Sequence, residues 1–163
     1  MKRISALLVA LFSLNLYANV NRVGDSVKFI GTMNAQAVEL DMKYTAYDGQ
    51  SMTQSTQLRM SGQLVSDNVE TIAPDAIVTM ETVGLMIAMC SQIGGVHEYL
   101  DLPVGKTLTC KVSAESVSTP VYNMYKSVFM DASTIWLGPF PVSGIAQMIF
   151  GGSMLRVSHY HWN

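Results

Sequence analysis

The sequence has little of what catalytic, redox and nucleic-acid-binding proteins usually carry. Only 13% of its 163 residues are charged, and it contains three histidines and two cysteines. The cysteines form no C-x-x-C motif, so we do not expect a redox enzyme. No serine lies in a G-x-S-x-G sequence, and there is no glycine-rich loop of the phosphate-binding type. We therefore expect a protein that is not an enzyme and needs no cofactor.

Basic residues are scarce once the N-terminal segment is set aside. The whole chain has 10 Lys and Arg residues against 12 Asp and Glu residues, a formal charge of −2. Without Lys2 and Arg3 the balance is 8 against 12, a charge of −4. A nucleic-acid-binding surface needs a basic patch, so this balance argues against nucleic acid as a partner.

The N-terminal segment has the pattern of a secretory signal peptide. Lys2 and Arg3 precede an apolar run, and Leu16-Tyr17-Ala18 is a candidate cleavage site. Leu suits the first position of such a site poorly, which leaves an uncleaved N-terminal anchor as the alternative. No later segment is long and apolar enough to cross a membrane. We expect residues 1–18 to be removed and residues 19–163 to form one domain in the periplasm or cell envelope.

Residues from Pro74 to Gln92 have the spacing of a single helix. Apolar side chains recur at i, i+3, i+4 and i+7, which places them on one face of a 3.6-residue period. Pro74 suits the first helical position, Thr79 is a rival N-cap, and Gly94-Gly95 can end the helix. The residues of this face are Val83, Met86, Ile87 and Cys90.

The residues after this helix predict a hairpin that carries the second cysteine. A three-residue loop, Pro103-Val104-Gly105, sets Glu98 opposite Cys110 and turns Cys110 towards the helix that presents Cys90. Two cysteines in an exported chain most simply form a disulfide, for which the loop length gives roughly 3 kcal/mol of stability. The alternative is two free thiols in a reducing compartment.

The first half of the mature chain predicts three strands. Val23 to Met33 opens the domain, and Ala37 to Tyr47 alternates between apolar and charged residues with period two. This alternation is typical of a strand with one buried and one solvated face. The third strand runs from about Ser51 to Met60. Gln63 to Val65 can prolong the sheet, and Ser66 to Ala73 is expected to lead into the helix.

The turn at Asp48-Gly49 allows two registers between the second and third strands. A two-residue loop sets Met42 opposite Ser55. A three-residue loop sets Tyr44 opposite Met52 and keeps the apolar side chains together, so we expect the second register.

The second half predicts further short strands and loops. Residues 113–119 read as a Ser-rich loop, residues 121–130 as an aromatic strand and residues 134–137 as a short strand. Pro139-Phe140-Pro141 lacks two backbone donors and fits only an edge or a loop. Residues 145–150 and 153–162 form a final hairpin about Gly151-Gly152. The fold class is therefore mainly β (α+β), a curved antiparallel sheet or half-barrel of about eight strands packed on one helix.

Several motifs of the second half, covering roughly residues 85–150, resemble a group of small exported bacterial proteins of unknown function. These proteins have a Pro-x-Gly hairpin before a Thr-Cys-Lys strand, then a Trp strand and a Gly-Ile-Val-like strand. The arrangement is also similar, more loosely, to the lipoprotein-carrier type of open β-barrel, which implies binding of acyl chains or other apolar ligands. The matching residues are Cys90, Gly94-Gly95, residues 102–111, residues 134–138 and residues 142–146.

His159 and His161 are the candidate metal ligands. Two residues apart on a strand, they share a face, and nearby methionines could add soft ligands for Cu(I). The alternative is a polar face of an exposed strand with Tyr160 and Trp162 packed inward. A closed zinc site needs four ligands, and nothing in the sequence brings His97 close.

Two apolar surfaces are candidate binding sites. A cleft between helix and sheet would be lined by flexible methionines, namely Met42, Met52, Met86 and Met89. An exposed rim would contain Trp136 and Phe140 with Tyr122 and Tyr125, unless these are ordinary core aromatics beside a rigid turn.

The leading hypothesis is an exported, non-catalytic envelope protein that binds an apolar ligand, such as a lipid, or another envelope component. A periplasmic copper- or zinc-binding protein is the first alternative, and a purely structural or interaction module is the second. Paired carboxylates such as Glu39 and Asp41 read as solvated surface, since acid–base catalysis needs partly buried groups with shifted pKa values.

Overall fold

A computed structural model of the chain describes residues 21–73, 77, 95–98, 107–113, 117–124, 127–130 and 133–163. Within them the backbone forms twelve β-strands and no helix, so the prediction of a mainly β protein is confirmed. In chain order the strands are β1 (Ser26–Met33), β2 (Gln36–Tyr47), β3 (Met52–Met60), β4 (Gln63–Ile72), β5 (Gly95–Glu98), β6 (Thr107–Ser113), β7 (Val117–Ser118), β8 (Asn123–Met124), β9 (Ser127–Met130), β10 (Ser133–Leu137), β11 (Ile145–Phe150) and β12 (Ser153–His161).

Ten of these strands pair side by side in one antiparallel sheet. Their order is β4-β3-β2-β1-β12-β11-β10-β9-β6-β5, while β7 and β8 form a separate pair. Six consecutive strands of this order, from β3 to β10, contribute the strand residues of the buried hydrophobic core, and the partly buried Ile72 of β4 packs against it. The sheet is open, since among the described strands its two end strands, β4 and β5, are not paired with each other.

Three of the hairpins are closed by two-residue turns. Residues 34–35 connect β1 to β2, residues 61–62 connect β3 to β4, and residues 151–152 connect β11 to β12. Both residues of each turn have positive φ, a geometry that matches the right-handed twist of the strands it joins. The predicted final hairpin about Gly151-Gly152 is thereby confirmed.

The sheet has an apolar inner face and a polar outer face, as the alternation of β2 predicts. Val38 and Tyr44 of β2 are buried, and so are Val27 and Phe29 of the neighbouring β1. Directly opposite residues share a face, so the β1–β2 register keeps these side chains on one side. The buried core consists of Val27, Phe29, Val38, Tyr44, Met52, Trp136, Phe140, Val142, Ala146, Leu155 and Val157.

The pairing of β1 with β12 joins the two halves of the chain. Gly31 lies opposite Leu155, and a Cβ atom at position 31 would lie 1.8 Å from the carbonyl oxygen of Met154. Only glycine lets the two backbones approach this closely. The register shifts nearby, where Ser158 is the extra residue of a bulge, and its hydroxyl donates to the carbonyl oxygen of Lys28 at 3.2 Å.

The register between β2 and β3 differs from both predicted alternatives. Tyr44 lies opposite Gln54 rather than Met52, and the predicted pairing is wrong. The cause is a loop of four residues between the two strands, in which the Asp48 carboxylate accepts a hydrogen bond of 2.6 Å from the N–H of Ser51. The observed register differs from the expected one by two residues, which is an even number. The same side chains of β2 and β3 therefore still share the inner face.

The register between β5 and β6 is also not the predicted one. Glu98 lies opposite Thr107, whereas the three-residue loop would have set it opposite Cys110, which instead lies opposite Gly95. The observed pairing is offset by three residues from the one that the loop Pro103-Val104-Gly105 would set, and that loop lies outside the described residues.

The stretch from Ser66 to Ala73 is mostly strand, and the helix that it is expected to lead into lies outside the described residues apart from Ile77. It continues β4 as far as Ile72, because pairing with β3 satisfies its backbone polar groups. Short strands such as β7, which lies inside the predicted Ser-rich loop, also raise the strand count above the expected eight.

The expected helix from Pro74 to Gln92 lies outside the described residues apart from Ile77, as does the signal peptide at residues 1–18. The packing of the sheet on one helix therefore stays a prediction. No helix in the described part of the chain has the length and apolar character needed to cross a bilayer.

Gly31→Ala tests the close approach of β1 and β12. We expect it to lower the free energy of unfolding by about 3 kcal/mol or more, because the added Cβ would overlap a backbone oxygen that cannot move without displacing β12. Thr32→Ala, at the exposed neighbouring position of the same strand, is the control and should change stability by less than about 0.5 kcal/mol. Urea denaturation of the two variants measures both values, and similar stabilities would contradict the close approach.

Candidate functional site

A fully buried carboxylate lies where the chain enters β1 and leaves β12. Asp25 has no exposed surface, and its Oδ2 atom accepts a hydrogen bond of 2.6 Å from the N–H of Arg22. Its Oδ1 atom accepts one of 2.7 Å from the N–H of Asn163. The side-chain amide of Asn163 in turn donates to the carbonyl oxygen of Val23 at 2.8 Å. Asp25 therefore connects the segment before β1 to the segment after β12.

Tyr44 extends this buried polar network to the loop between β10 and β11. Its main-chain N–H donates to the carbonyl oxygen of Asp25 at 3.0 Å, and its hydroxyl donates to the carbonyl oxygen of Val142 at 3.3 Å. Val142 has a φ of 67°, an uncommon conformation for a β-branched residue. Its N–H donates to the side-chain oxygen of Asn21 at 3.4 Å. Bonds on both sides thus hold this strained residue in place.

The side chains of this network bind main-chain groups and hold the fold together. Burial, together with the nearby negative charge of Asp25, raises the pKa of Tyr44 to about 12. At ordinary pH the phenol is therefore neutral and serves as a hydrogen-bond donor rather than a base. The Asp25 oxygens accept bonds from main-chain N–H groups, which anchors the backbone.

Three aromatic rings meet at the surface beside this network. The rings of Tyr122 and Phe140 lie 5.4 Å apart at 82°, and those of Phe140 and Tyr160 lie 5.2 Å apart at 83°. These edge-to-face contacts are the favoured geometry of aromatic pairs. Phe140 is buried, whereas Tyr122 is 38% and Tyr160 is 43% exposed. We call Tyr122, Phe140 and Tyr160 the aromatic cluster.

Local structure places each ring of the aromatic cluster. Tyr160 extends from β12, and Phe140 lies in the turn after β10 that the flanking prolines favour. Tyr122 follows a tight turn in which the N–H and the hydroxyl of Thr119 both donate to the Tyr122 carbonyl oxygen, at 2.8 and 3.1 Å. Hydrogen bonds therefore fix the backbone that carries Tyr122 of the cluster.

The aromatic cluster differs from the predicted rim in its residues and in their exposure. Trp136 and Phe140 are only 8% and 2% exposed, so of the two alternatives the exposed rim is wrong for them and ordinary core aromatics is correct. The reason is that both belong to the hydrophobic core, where the turn after β10 packs on the sheet. Tyr122 is brought beside Phe140 as expected, and Tyr125 lies outside the described residues. The alternative to a metal site has Tyr160 packed inward; its ring contacts Phe140, but Tyr160 stays 43% exposed.

The outer face of the sheet carries a ladder of ion pairs. Lys28 lies 2.6 Å from Glu39 and 3.9 Å from Asp41, and Arg59 lies 3.2 Å from Asp41. The hydrogen bond with Glu39 raises the pKa of Lys28, and the same bond lowers the pKa of Glu39. Glu39 and Asp41 thus occupy a solvated face, as predicted, with Lys28 and Arg59 as their partners.

His159 and His161 lie on the same outer face. They are opposite Lys28 and Ser26 of β1, and both are exposed. The Nδ1 atom of His159 lies 3.2 Å from the Ser158 hydroxyl oxygen. Among the described residues no group of three metal-ligating side chains comes together. The copper or zinc site stays a prediction, which calorimetric titration of the wild type and His161→Ala with either metal tests.

The other predicted site residues are placed only in part. Met52 is buried at 4% exposure, and the half-buried Met42 packs against the same core. Met86 and Met89 lie outside the described residues, so the methionine-lined cleft stays a prediction. Cys90 also lies outside them, and Cys110 is described only as a residue of β6. The disulfide between them likewise stays a prediction.

The raised pKa of Tyr44 predicts a pH dependence of stability. The pKa of Tyr44 is near 10 in the unfolded chain and about 12 in the folded protein. The contribution of the neutral buried phenol to the free energy of unfolding is therefore complete below pH 10 and is lost as the pH rises towards 12. The loss is at most about 3 kcal/mol. Tyr44→Phe should remove this decline.

Urea denaturation at several pH values between 9 and 12 measures the difference between the wild type and Tyr44→Phe. Tyr47→Phe, at a 56% exposed tyrosine of the same strand, is the control and should keep the wild-type slope. Identical slopes for the wild type and Tyr44→Phe would contradict the buried phenol.

Comparisons of this chain with models of protein families, with curated proteins and with solved structures find no match. The resemblance to small exported bacterial proteins therefore stays a prediction, and the function is argued from the residues themselves.

Proposed function

We propose that this chain is an exported, non-catalytic binding protein of the cell envelope, and that the aromatic cluster is its contact surface for an apolar ligand of the lipid type. One observation carries the proposal. Tyr122 and Tyr160 are half exposed on either side of the buried Phe140, with fixed edge-to-face geometry. They offer a rigid apolar surface with two hydroxyl groups at its margin.

Such a surface suits binding at the boundary between apolar and aqueous surroundings. Tyrosine has an apolar ring and a polar tip, so it is favoured where one end of a side chain is dry and the other is wet. The rings are already held by Phe140, and binding therefore costs little side-chain entropy. Val121, which is 38% exposed beside Tyr122, enlarges the apolar area.

The described polar groups support a binding role rather than catalysis. The buried Asp25 and Tyr44 are engaged with the main chain. Carboxylates of the outer face, such as Asp41, pair with Lys28 and Arg59 across neighbouring strands. A catalytic group needs an atom free to meet substrate, and these arrangements use their atoms to hold the backbone and the sheet.

The proposal includes the features that lie outside the described residues. Removal of residues 1–18 would place the mature chain in the periplasm or envelope, where a disulfide between Cys90 and Cys110 can form. A helix within residues 74–92 would cover the apolar inner face of the sheet. Met86 and Met89 of that helix, with Met42 and Met52, would then line a second apolar surface.

Native mass spectrometry of the protein exported to the periplasm tests export, disulfide and ligand together. We expect a mass that starts at Asn19 and is lighter by two hydrogens than the reduced chain. We also expect additional mass that is released on gentle activation and corresponds to a lipid. Cys110→Ala is the control for the disulfide. A full-length or fully reduced mass would contradict export or the disulfide, and a bare mass would weigh against a tightly bound ligand.

Loss of the cluster tyrosines tests the contact surface itself. We expect Tyr122→Ser with Tyr160→Ser to weaken co-sedimentation with vesicles of phosphatidylethanolamine and phosphatidylglycerol by about tenfold or more, since two rings leave the surface. Tyr47→Ser removes an exposed tyrosine outside the cluster and is the matched control. If the double variant and the control bind vesicles equally well, the aromatic cluster is not the binding surface.

A further inference from the structure

The end strand β4 is exposed along almost its whole length. Its residues from Gln63 to Thr71 are all exposed, and only Ile72 is partly buried. On its inner side β4 pairs with β3, and among the described strands it has no neighbour on the other side. Val69 is 65% exposed, the largest value among the exposed large hydrophobic residues of the described chain. β4 is thus an open sheet edge with an apolar side chain near its middle.

A bulge divides β4 into two parts. Ser66 lies opposite Leu58 and Leu64 lies opposite Arg59, so Val65 is the extra residue. A bulge interrupts the regular alignment of backbone groups that a new strand needs. The regular part of the edge is therefore the segment from Ser66 to Ile72, and Val69 is its central residue.

Proteins usually protect such edges with lysine, proline or inward-facing charge. The segment from Ser66 to Ile72 contains no Lys, Arg or Pro. Its charges are the carboxylates of Asp67 and Glu70, and the amide of Gln57 donates to the Asp67 carboxylate at 3.2 Å. The edge is therefore open to a partner strand that does not set another carboxylate against these two.

A second copy of the same edge meets this condition in some registers and not in others. A two-fold axis perpendicular to the sheet makes two copies of β4 antiparallel and keeps their inner faces on one side. Opposite residues must then share a face, so the two-fold axis passes midway between the two copies of one residue, and we name the axis by that residue. Placed at Asp67 or at Glu70, the axis would set a carboxylate directly against its own copy, which is unfavourable.

An axis at Asn68 would set the exposed Val69 against Asp67 of the second copy. An axis at Val69 sets Val69 against itself and pairs the whole regular segment, since Ser66 then meets Ile72. In this register Asp67 faces the hydroxyl of Thr71, and Glu70 faces the amide of Asn68. Each carboxylate thereby faces a hydrogen-bond donor, and the most exposed apolar side chain packs against its own copy.

We propose that β4 is the homodimerisation surface of this protein, and that two copies pair antiparallel along Ser66 to Ile72 about a two-fold axis at Val69. The two sheets become one continuous sheet across the pair. The inference is independent of the aromatic cluster, which lies on other strands and keeps its exposed tyrosines on both copies.

Sedimentation equilibrium of the exported wild-type protein tests the dimer. Pairing along a single strand is a small interface, so the concentrations should run from about 1 μM to about 500 μM. We expect a reversible monomer–dimer equilibrium in this range. Val69→Lys should raise the dissociation constant at least about tenfold, because it sets two ammonium groups against each other at the axis.

Leu64→Lys is the matched control for the charge change. Leu64 is 53% exposed on the same strand but precedes the bulge, so its replacement should leave the dissociation constant unchanged. Equal weakening by both substitutions would overturn the proposed register, and a wild-type chain that stays monomeric throughout the range would overturn the dimer.

Disulfide trapping tests the register directly. Opposite residues of antiparallel strands have Cα atoms about 4.5–5.5 Å apart, within reach of a disulfide. Val69→Cys should therefore form a covalent dimer on mild oxidation, whereas Ser66→Cys should not, since two copies of residue 66 would lie about 20 Å apart along the strand. A Ser66→Cys dimer without a Val69→Cys dimer would overturn the axis at Val69.

Discussion

The pairing of β1 with β12 is the constraint on which the rest of the structure depends. It joins strands from opposite ends of the described chain, and closing so long a loop costs conformational entropy. Gly31 allows the two backbones to meet, and the Asp25 carboxylate bonds to the main chain on both sides of the junction. Without this junction the hairpins β1–β4 and the strands β10–β12 would each hold only part of the core.

The junction also determines which side chains are engaged in the fold and which remain at the surface. Asp25 and Tyr44 are buried because they hold the two ends of the sheet and the turn after β10 together. That same turn brings Phe140 against Tyr160 of β12. The aromatic cluster is thus a product of the junction, which explains why it lies on a rigid part of the sheet rather than on an isolated loop.

The sequence predicts those elements whose signals are local. The period-two alternation of β2 and the glycine pair before β12 both identify their elements correctly. The sequence does not predict the register of β2 and β3, because the Asp48 side chain holds a longer loop and a bulge in β2 adds to the shift. The bond between Asp25 and Asn163 leaves no sequence signal, since no short-range pattern links residues so distant.

The sequence of β4 shows no strand periodicity, and the reason is physical. A strand shows alternation only when one of its faces is buried and the other is wet. Both faces of β4 are exposed, so apolar residues such as Leu64, Val65 and Val69 occur without a period. The absence of a buried face is also what leaves its edge accessible. The part of the chain that sequence patterns classify least well is therefore the part best able to accept another strand.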